Sequence, residues 1–319
     1  MSNDDKLSSI VRTLSLADSN LENLIANQDE LTIALNLAAD YGLMITHNNG
    51  LYTLENKLKI LDKSIIYNHL ELLNTDTDIE LSIKDFVNTT TEEFDPREIK
   101  NNELKISIAE FQKQGRGRQN RKWFSPFGAG ISSSIFKHLS KNINPIGLSL
   151  YLGIRIIDAL DEIGFHGIKL KWPNDLYYKD KKLGGILVDI YQNSDLDSVI
   201  SLGIGINYCL PDNKNFNFDT KKTPIDLCSI IKDENIDRSI VAGHLLKRVI
   251  ENLDSFNENS LKDEQERWKE IDYLYAKTIT IEVVDKQITG INKGITSDGE
   301  LILEVDSKRI KIITGHIVV

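Results

Sequence analysis

The chain has 319 residues, enough for roughly two or three domains, and 40% of them are hydrophobic, as a globular protein with a sizeable core requires. Its 48 acidic and 38 basic residues give a formal charge of -10, so the average field repels phosphate and excludes general nucleic-acid affinity. Two cysteines, Cys209 and Cys228, are too few for a disulfide framework and are not spaced as zinc ligands, so both are expected to be buried thiols.

Residues 1–7 carry Asp4 and Asp5 and lack the apolar run of a signal peptide, which points to a cytoplasmic protein. Apolar residues recur at helical spacing over 6–16 and 20–26, and a third helix spans 30–41, with Asp29 as its cap and Gly42 as its stop. Two short strands, 43–46 and 51–54, then flank His47-Asn48-Asn49-Gly50, a hairpin signal. Three helices and a hairpin predict a winged helix-turn-helix over residues 1–60. That fold implies DNA as a partner, yet residues 13–56 contain no Lys or Arg to anchor phosphates, and the third helix region carries Asp29, Glu30 and Asp40.

A linker over 55–63 leads to a helix over 62–73 and a strand over 78–86. Thr89, Thr90 and Thr91 follow, as a turn capping a helix or as hydroxyls for a ligand, and Asp95-Pro96 disturbs the helix expected next. A strand over 105–111 delivers Gln112 to the loop 115–129, and 131–136 is another strand. The helix over 146–163 puts Leu148, Leu152, Ile156, Ala159, Leu160 and Ile163 on one face and ends at Gly164; Arg155 and Asp158 interrupt it, so it is no membrane span. Pro173 ends a strand over 168–172, so Asn174 and Asp175 emerge at its tip, for turn or for site. Apolar strands over 183–190 and 199–206 and a helix over 238–256 complete the central region. From residue 277, β-rich runs separated by turns at Asp285-Lys286, Asn292-Lys293-Gly294 and Ser297-Asp298-Gly299 suggest a small barrel.

The loop reads G-R-G-R-Q-N-R-K-W-F-S-P-F-G-A. Gly115, Gly117 and Gly128 relax the backbone, while Arg116, Arg118, Arg121 and Lys122 concentrate cationic donors suited to carboxylate or phosphate. Trp123 and Phe124 add flat apolar faces for a heterocycle. Taken alone, this composition also suits a solvated turn or a single-strand nucleic-acid patch.

Three further segments decide between these readings: Lys171-Trp172-Pro173-Asn174-Asp175, Lys182-Leu183-Gly184-Gly185-Ile186, and Gly203-Ile204-Gly205-Ile206-Asn207. With the loop, in this order and spacing, they resemble the biotin protein ligases, whose pattern is G-R-G-R-x-x-R-x-W, K-W-P-N-D, a lysine before L-x-G-I, and G-x-G-x-N. The resemblance covers nearly the whole chain and is nearest to the three-domain bacterial form that also represses transcription.

It implies an α+β chain: a winged helix-turn-helix (1–60), a mixed-sheet α/β catalytic domain resembling class II synthetases (61–270), and an SH3-like barrel (271–319). The implied enzyme is a biotin-[acetyl-CoA-carboxylase] ligase. It activates biotin with ATP, magnesium being expected, then passes biotin to a lysine of a biotin carboxyl carrier protein. A homodimer is compatible with it; a membrane is not involved. By the same resemblance Lys182 and Arg118 are the catalytic candidates, with Lys182 on the biotin carboxylate and α-phosphate. Thr89, Thr90, Thr91, Gln112, Gly115, Arg116, Gly117 and Gly185 belong to the biotin end, where three threonines stand in place of the family's serine, threonine and asparagine. Arg121, Trp123, Lys171, Asn174, Asp175 and Asn207 belong to the nucleotide end.

The chemistry gives the arginines a task. A carboxylate attacking the α-phosphate of ATP brings two anions together, and clustered guanidinium groups lower that barrier most where charge develops. A loop over 115–128 that closes on ligand would keep water from the mixed anhydride. Two competing readings are a DNA-binding regulator that only senses biotinyl-adenylate, and a lipoate ligase, whose loop lacks the G-R-G-R pattern.

Overall fold

The computed structural model describes residues 2–21, 24–25, 27–55, 58–73, 76–139, 144–194, 197–211, 224–231, 236–283 and 286–318. Helix α1 (Asn3–Leu16) begins with a capping box, in which Ser2 accepts from the Asp5 N–H and Asp5 accepts from that of Ser2. Helix α2 (Gln28–Asp40) is capped by Asn27, two residues earlier than the expected Asp29, because the Asn27 side chain reaches the N–H groups of both Asp29 and Glu30. Gly42, at φ 85°, ends it as expected. The helix expected over 20–26 lies partly outside the described residues; the Leu24 and Ile25 N–H groups both turn back to the Leu21 carbonyl.

Strands β1 (Ile45–Asn48) and β2 (Leu51–Leu54) pair across Asn49 and Gly50, both left-handed, as a two-residue hairpin turn demands. The first strand starts two residues later than expected because the Leu43 N–H still bonds to Ala38, closing α2. This unit does not stand apart. Its core, including Leu7, Ile10, Leu31 and Leu54, runs into Phe111 and Phe127. Tyr41 stacks on Phe111 at 4.2 Å, and its carbonyl accepts from the Phe127 N–H at 2.9 Å.

Helix α3 (Lys63–Glu71), capped by Asp62, leads to β3 (Asp78–Val87), two 3-10 turns (Thr90–Glu92 and Pro96–Glu98) and β4 (Glu103–Gln112). Then come β5 (Gly130–Leu139), α4 (Pro145–Glu162), β6 (Ile168–Lys171), β7 (Asp175–Tyr178), β8 (Lys181–Ser194), β9 (Asp197–Asn207), α5 (Leu227–Ile231) and α6 (Arg238–Leu253). Among the described residues, seven strands form one sheet in the order β3-β4-β5-β9-β8-β7-β6. Only β3 and β4 run parallel, so the sheet is mixed. Strand β7 was not expected: Pro173 ends β6, but a tight turn at Asn174 sends the chain straight back, pairing Lys171 with Asp175.

A fully buried ion pair, Glu110 with Arg238, pins α6 to β4. The same arginine donates to the carbonyls of Lys59 and Gly130, and Glu110 accepts from the Leu61 N–H, so the pair also fastens the chain entering the sheet.

Helices α7 (Ser260–Asp263) and α8 (Gln265–Ile271) precede β10 (Thr278–Val283), β11 (Lys286–Ile295), β12 (Leu301–Val305), β13 (Lys308–Ile312) and β14 (His316–Val318). These strands make an antiparallel sheet ordered β13-β12-β11-β10-β14. The expected turn at Asn292-Lys293-Gly294 is instead an irregularity within β11. Asn292 points inward and is wholly buried, donating to Asp272 and accepting from the Gly294 N–H, while Gly294 takes φ 95°. The turn at 297–299 is present; that expected at Asp285-Lys286 falls partly outside the described residues, Lys286 opening β11. A sharp turn at Asp306-Ser307, both left-handed, went unread in the sequence. Ile281, Leu301, Leu303 and Ile317 share one continuous core with the central sheet, and the Trp172 indole N–H donates to the Gly299 carbonyl at 2.9 Å. Cys228 is buried; Cys209 is only half-buried. Among the described residues no helix is long and apolar enough to cross a membrane.

Candidate active site

The tips of β4, β8 and β9, the turn 172–174, the loop after β4 and the start of β14 surround one cleft with about 990 Å³ of empty volume, part of it open solvent. The loop is not irregular. Arg116 faces Lys122 in an isolated bridge, the Trp123 N–H donates to Gly115 and the Gly117 N–H to Arg121, both at 2.8 Å, so 115–123 form a hairpin whose tip is Gln119-Asn120. Gly115 is needed for that closure: a Cβ there would sit 2.4 Å from the Trp123 carbonyl oxygen.

The glycines of β9 make room for rings. A Cβ on Gly205 would lie 2.7 Å from the Trp123 indole, so the ring rests directly on the strand backbone, and a Cβ on Gly203 would reach the Thr91 methyl at 3.4 Å. Opposite, Lys182 extends from β8 with Nζ 2.7 Å from Asp175 Oδ1. Gly185 keeps the space beside both open.

Cations dominate the cleft in a chain that is acidic overall. Arg116, Arg118, Arg121, Lys122, Lys171 and Lys182 line it, against Asp175 as the single lining carboxylate among the described residues. Burial lowers the Arg118 pKa, with Asp175 opposing and Arg121 reinforcing that shift, so a desolvated cation here is short of counter-charge. Arg116 is tied instead, its Nη2 2.7 Å from Asp189 Oδ2 on β8. Tyr177, behind Asp175, has its pKa pushed up to about 12, first by burial and then by Asp175 and Tyr273.

At the other end, Thr89, Thr90 and Thr91 are buried and line the cleft with Gln112. Gln112 Oε1 accepts from the Thr90 N–H at 2.8 Å and from the Thr89 and Thr90 hydroxyls at 3.2 Å, while Ser134 donates to the Thr90 hydroxyl at 2.7 Å. Much of the threonine hydrogen-bonding capacity is therefore spent on fixing Gln112, which leaves its amide N–H groups for a ligand.

Two named candidates do not line the cleft. Gly115 lies within the hairpin stem, and Asn207 is buried with its amide donating to the Ile225 carbonyl at 3.0 Å, pinning the segment after residue 223 to β9. Asn174 lines the cleft, but its amide donates to the Ile186 carbonyl at 2.6 Å and holds the turn. Ser133, Leu187, Gly315, His316 and Ile317 also line the cleft, and Asp189 stands behind Arg116, though nothing in the sequence marked them. A lone serine, leucine or C-terminal histidine carries no local pattern that would have marked it.

This geometry finds its counterpart among known proteins. Residues 83–207, which hold every cleft segment except that from β14, match the biotin/lipoate A/B protein ligase family. These residues form a biotin/lipoate ligase-family domain. The chain is 36% identical over 200 residues to the bifunctional ligase/repressor BirA of Escherichia coli, covering 62% of this chain and 61% of that protein. It is 28% identical over 220 residues to the biotin-[acetyl-CoA-carboxylase] ligase of Mycobacterium tuberculosis, covering 67% and 78% respectively. Against the first relative, then, the chain spans about three fifths of its length. A variant of the Aquifex aeolicus biotin protein ligase, solved with biotin, superposes with a TM-score of 0.61 at 25% identity over 75% of this chain and 97% of that one. The ligase-domain fold is thereby the mixed sheet described above. The matched segment begins within β3 and ends at Asn207, so it contains the hairpin, Lys171–Asp175, Lys182 and both β9 glycines.

Proposed function

We propose that the chain is an ATP-dependent biotin protein ligase. In the first step a biotin carboxylate oxygen bonds to the α-phosphorus of ATP, the bond to the β-phosphate oxygen breaks, and pyrophosphate leaves. In the second, a lysine amine of a carboxyl carrier protein attacks the acyl carbon, AMP leaves, and the amine loses a proton. The observation that carries this reading is the meeting of Lys182, Asp175 and the arginine hairpin over the Trp123–Gly205 contact. Lys182 and Arg118 are assigned to the reacting carboxylate and phosphate, where a cation stabilises the charge that builds in transfer.

Gln112 and the threonines would receive the ring end of the acid; Trp123, Lys171 and Asp175 would receive the nucleotide. Asn207 and Gly115 act behind the lining, shaping β9 and the hairpin. Among the described residues no three His, Cys, Asp or Glu side chains converge as a metal cage, so magnesium would enter on the nucleotide phosphates, with Asp175 the cleft carboxylate able to meet it. When bound, that ion would neutralise phosphate charge. The layout of residues 1–60, 61–270 and 271–319 as winged helix, catalytic domain and SH3-like barrel, and a cytoplasmic setting, belong to the same proposal.

The deciding experiment is isotope exchange between pyrophosphate and ATP. Exchange that requires biotin and ignores lipoate supports the proposal, and exchange driven by lipoate overturns it. A second reading, repression through the N-terminal unit, is favoured by helices α1 and α2 followed by a hairpin and by the ligase/repressor name of the E. coli relative. Charge opposes it: Lys6 and Arg12, the two cations of residues 1–56, are both engaged, with Glu30 at 2.8 Å and with Asp85 at 2.6 Å. A mobility shift with the chain's own biotin-operon promoter and biotinyl-adenylate tests it; tight, sequence-specific retardation would establish the repressor.

A further inference from the structure

The start of β14 reaches the cleft from the far end of the chain. Gly315, His316 and Ile317 line it, and their place is not adjustable. Ile317 is buried, His316 pairs with Glu282 on β10, and Gly315 lies so close to β10 that a Cβ would sit 2.6 Å from the Ile281 side chain.

From this position His316 Nδ1 lies 3.4 Å from Nη1 of Arg121, near the tip of the hairpin. A guanidinium only donates, so Nδ1 has to be the bare nitrogen, with the ring proton on Nε2. The other amino group of Arg121 donates to Gln119 Oε1 at 3.1 Å. An arginine aimed at the nucleotide end is thus held between its own hairpin and the C-terminal sheet.

We propose that His316 is a positioning residue of the nucleotide site: its Nδ1 lone pair holds the Arg121 guanidinium at the cleft mouth, so that protonation of this one imidazole weakens ATP binding. The groups around the ring agree on its resting state. Burial, Arg121 and Lys171 lower its pKa from 6.5, Glu282 and Asp175 raise it, and the net shift is downward. The neutral, accepting form therefore prevails at pH 7 to 8. As pH falls through this lowered pKa, a second ring proton removes the acceptor and sets two cations against each other, releasing the tip of the hairpin.

This inference rests on reading the cleft as an ATP site, and its test separates the two. ATP is titrated calorimetrically into the full-length chain and into its His316→Ala and His316→Asn variants, from pH 5.5 to 8, beside biotin-dependent pyrophosphate exchange. His316→Ala is expected to weaken ATP binding and raise the ATP KM about fivefold to tenfold at pH 7.5, the effect of losing one hydrogen bond to a charged group at a partly exposed site. The biotin KM and the melting temperature should not move. His316→Asn, whose side-chain oxygen accepts but takes up no proton, should restore most of the affinity and remove the extra loss that the native chain shows at low pH. Native-like ATP binding in His316→Ala, or equal losses for Ala and Asn, would overturn the role of His316 even with exchange intact. Absence of exchange in a native chain that binds ATP through His316 would sink the ligase reading and leave the histidine's role standing.

Discussion

Lys182 Nζ and Asp175 Oδ1 lie 2.7 Å apart at the floor of the cleft, the lysine also facing the Trp123 ring at 5.8 Å. Both side chains are about a third exposed or less, so the pair can open when a stronger anion arrives. Asp175 holds the ammonium at the point where carboxylate and phosphate would meet. The lysine then exchanges one anionic partner for another, rather than condensing from solvent.

Lys182→Ala should therefore lower biotin-dependent pyrophosphate exchange by about 100-fold to 1,000-fold, the usual loss when one donor to developing charge is removed. Because the side chain is part-exposed and outside the core, the melting temperature should stay within a degree or so. Exchange that survives at native rates would remove Lys182 from the chemistry.

Gly205→Ala is expected to expel the indole. Its Cβ would fall 2.7 Å from the Trp123 ring, and overpacking of that kind costs about 1–3 kcal/mol when neighbours cannot yield. Here the ring sits on a loop and can yield, so the loss should appear as weaker ATP binding and altered Trp123 fluorescence with the fold retained. Unchanged fluorescence and affinity would show that the ring does not use the glycine floor.

Arg238→Met leaves Glu110 buried without its partner, and the Lys59 and Gly130 carbonyls without theirs. Breaking a buried pair from one side destabilises by about 3–5 kcal/mol, and the urea midpoint should fall accordingly. Replacing both residues, as Arg238→Met with Glu110→Leu, should recover part of that loss. A single variant as stable as the native chain would show that the pair contributes nothing.

Asp272 has its pKa raised to about 6, chiefly by burial and against bonds from the Leu274 N–H and the Asn292 amide. A carboxyl whose folded pKa lies above its unfolded value near 3.8 binds protons more tightly when folded, so its ionisation opposes folding above pH 6. That penalty fades as pH falls from 6 towards 4. Measured by urea unfolding, the stability of the native chain relative to Asp272→Asn should rise as pH is lowered across this window. A difference that stays flat from pH 4 to 7 would show that Asp272 ionises freely in the folded chain.

Local pattern carried far in this chain. The helix starting near Asp62, the stop at Gly42, the Asn49-Gly50 turn and the apolar face of α4 were readable because left-handed turns and helical periodicity act within a few residues. At Asn292-Lys293-Gly294, where local pattern points to a turn, the deciding fact is a hydrogen bond to Asp272, 20 residues away and invisible to that pattern. The same limit explains Asn207: its motif was readable, but only the neighbouring Ile225 carbonyl shows its amide turned away from the cleft.

What the order and spacing of the glycine-arginine loop, the K-W-P-N-D turn, Lys182 and the glycines of β9 marked by themselves was the ligase domain, since four motifs in one order and spacing lie in the sequence before any contact forms. Tertiary structure decided which of these residues meet. Sheet order sets β9 beside β8 with only β5 between it and β4, so the hairpin after β4 lays Trp123 on Gly205, and the pairing of β14 with β10 brings His316 to Arg121 across 195 positions of sequence. Contacts of that span arise from burying a shared core, and no local periodicity encodes them.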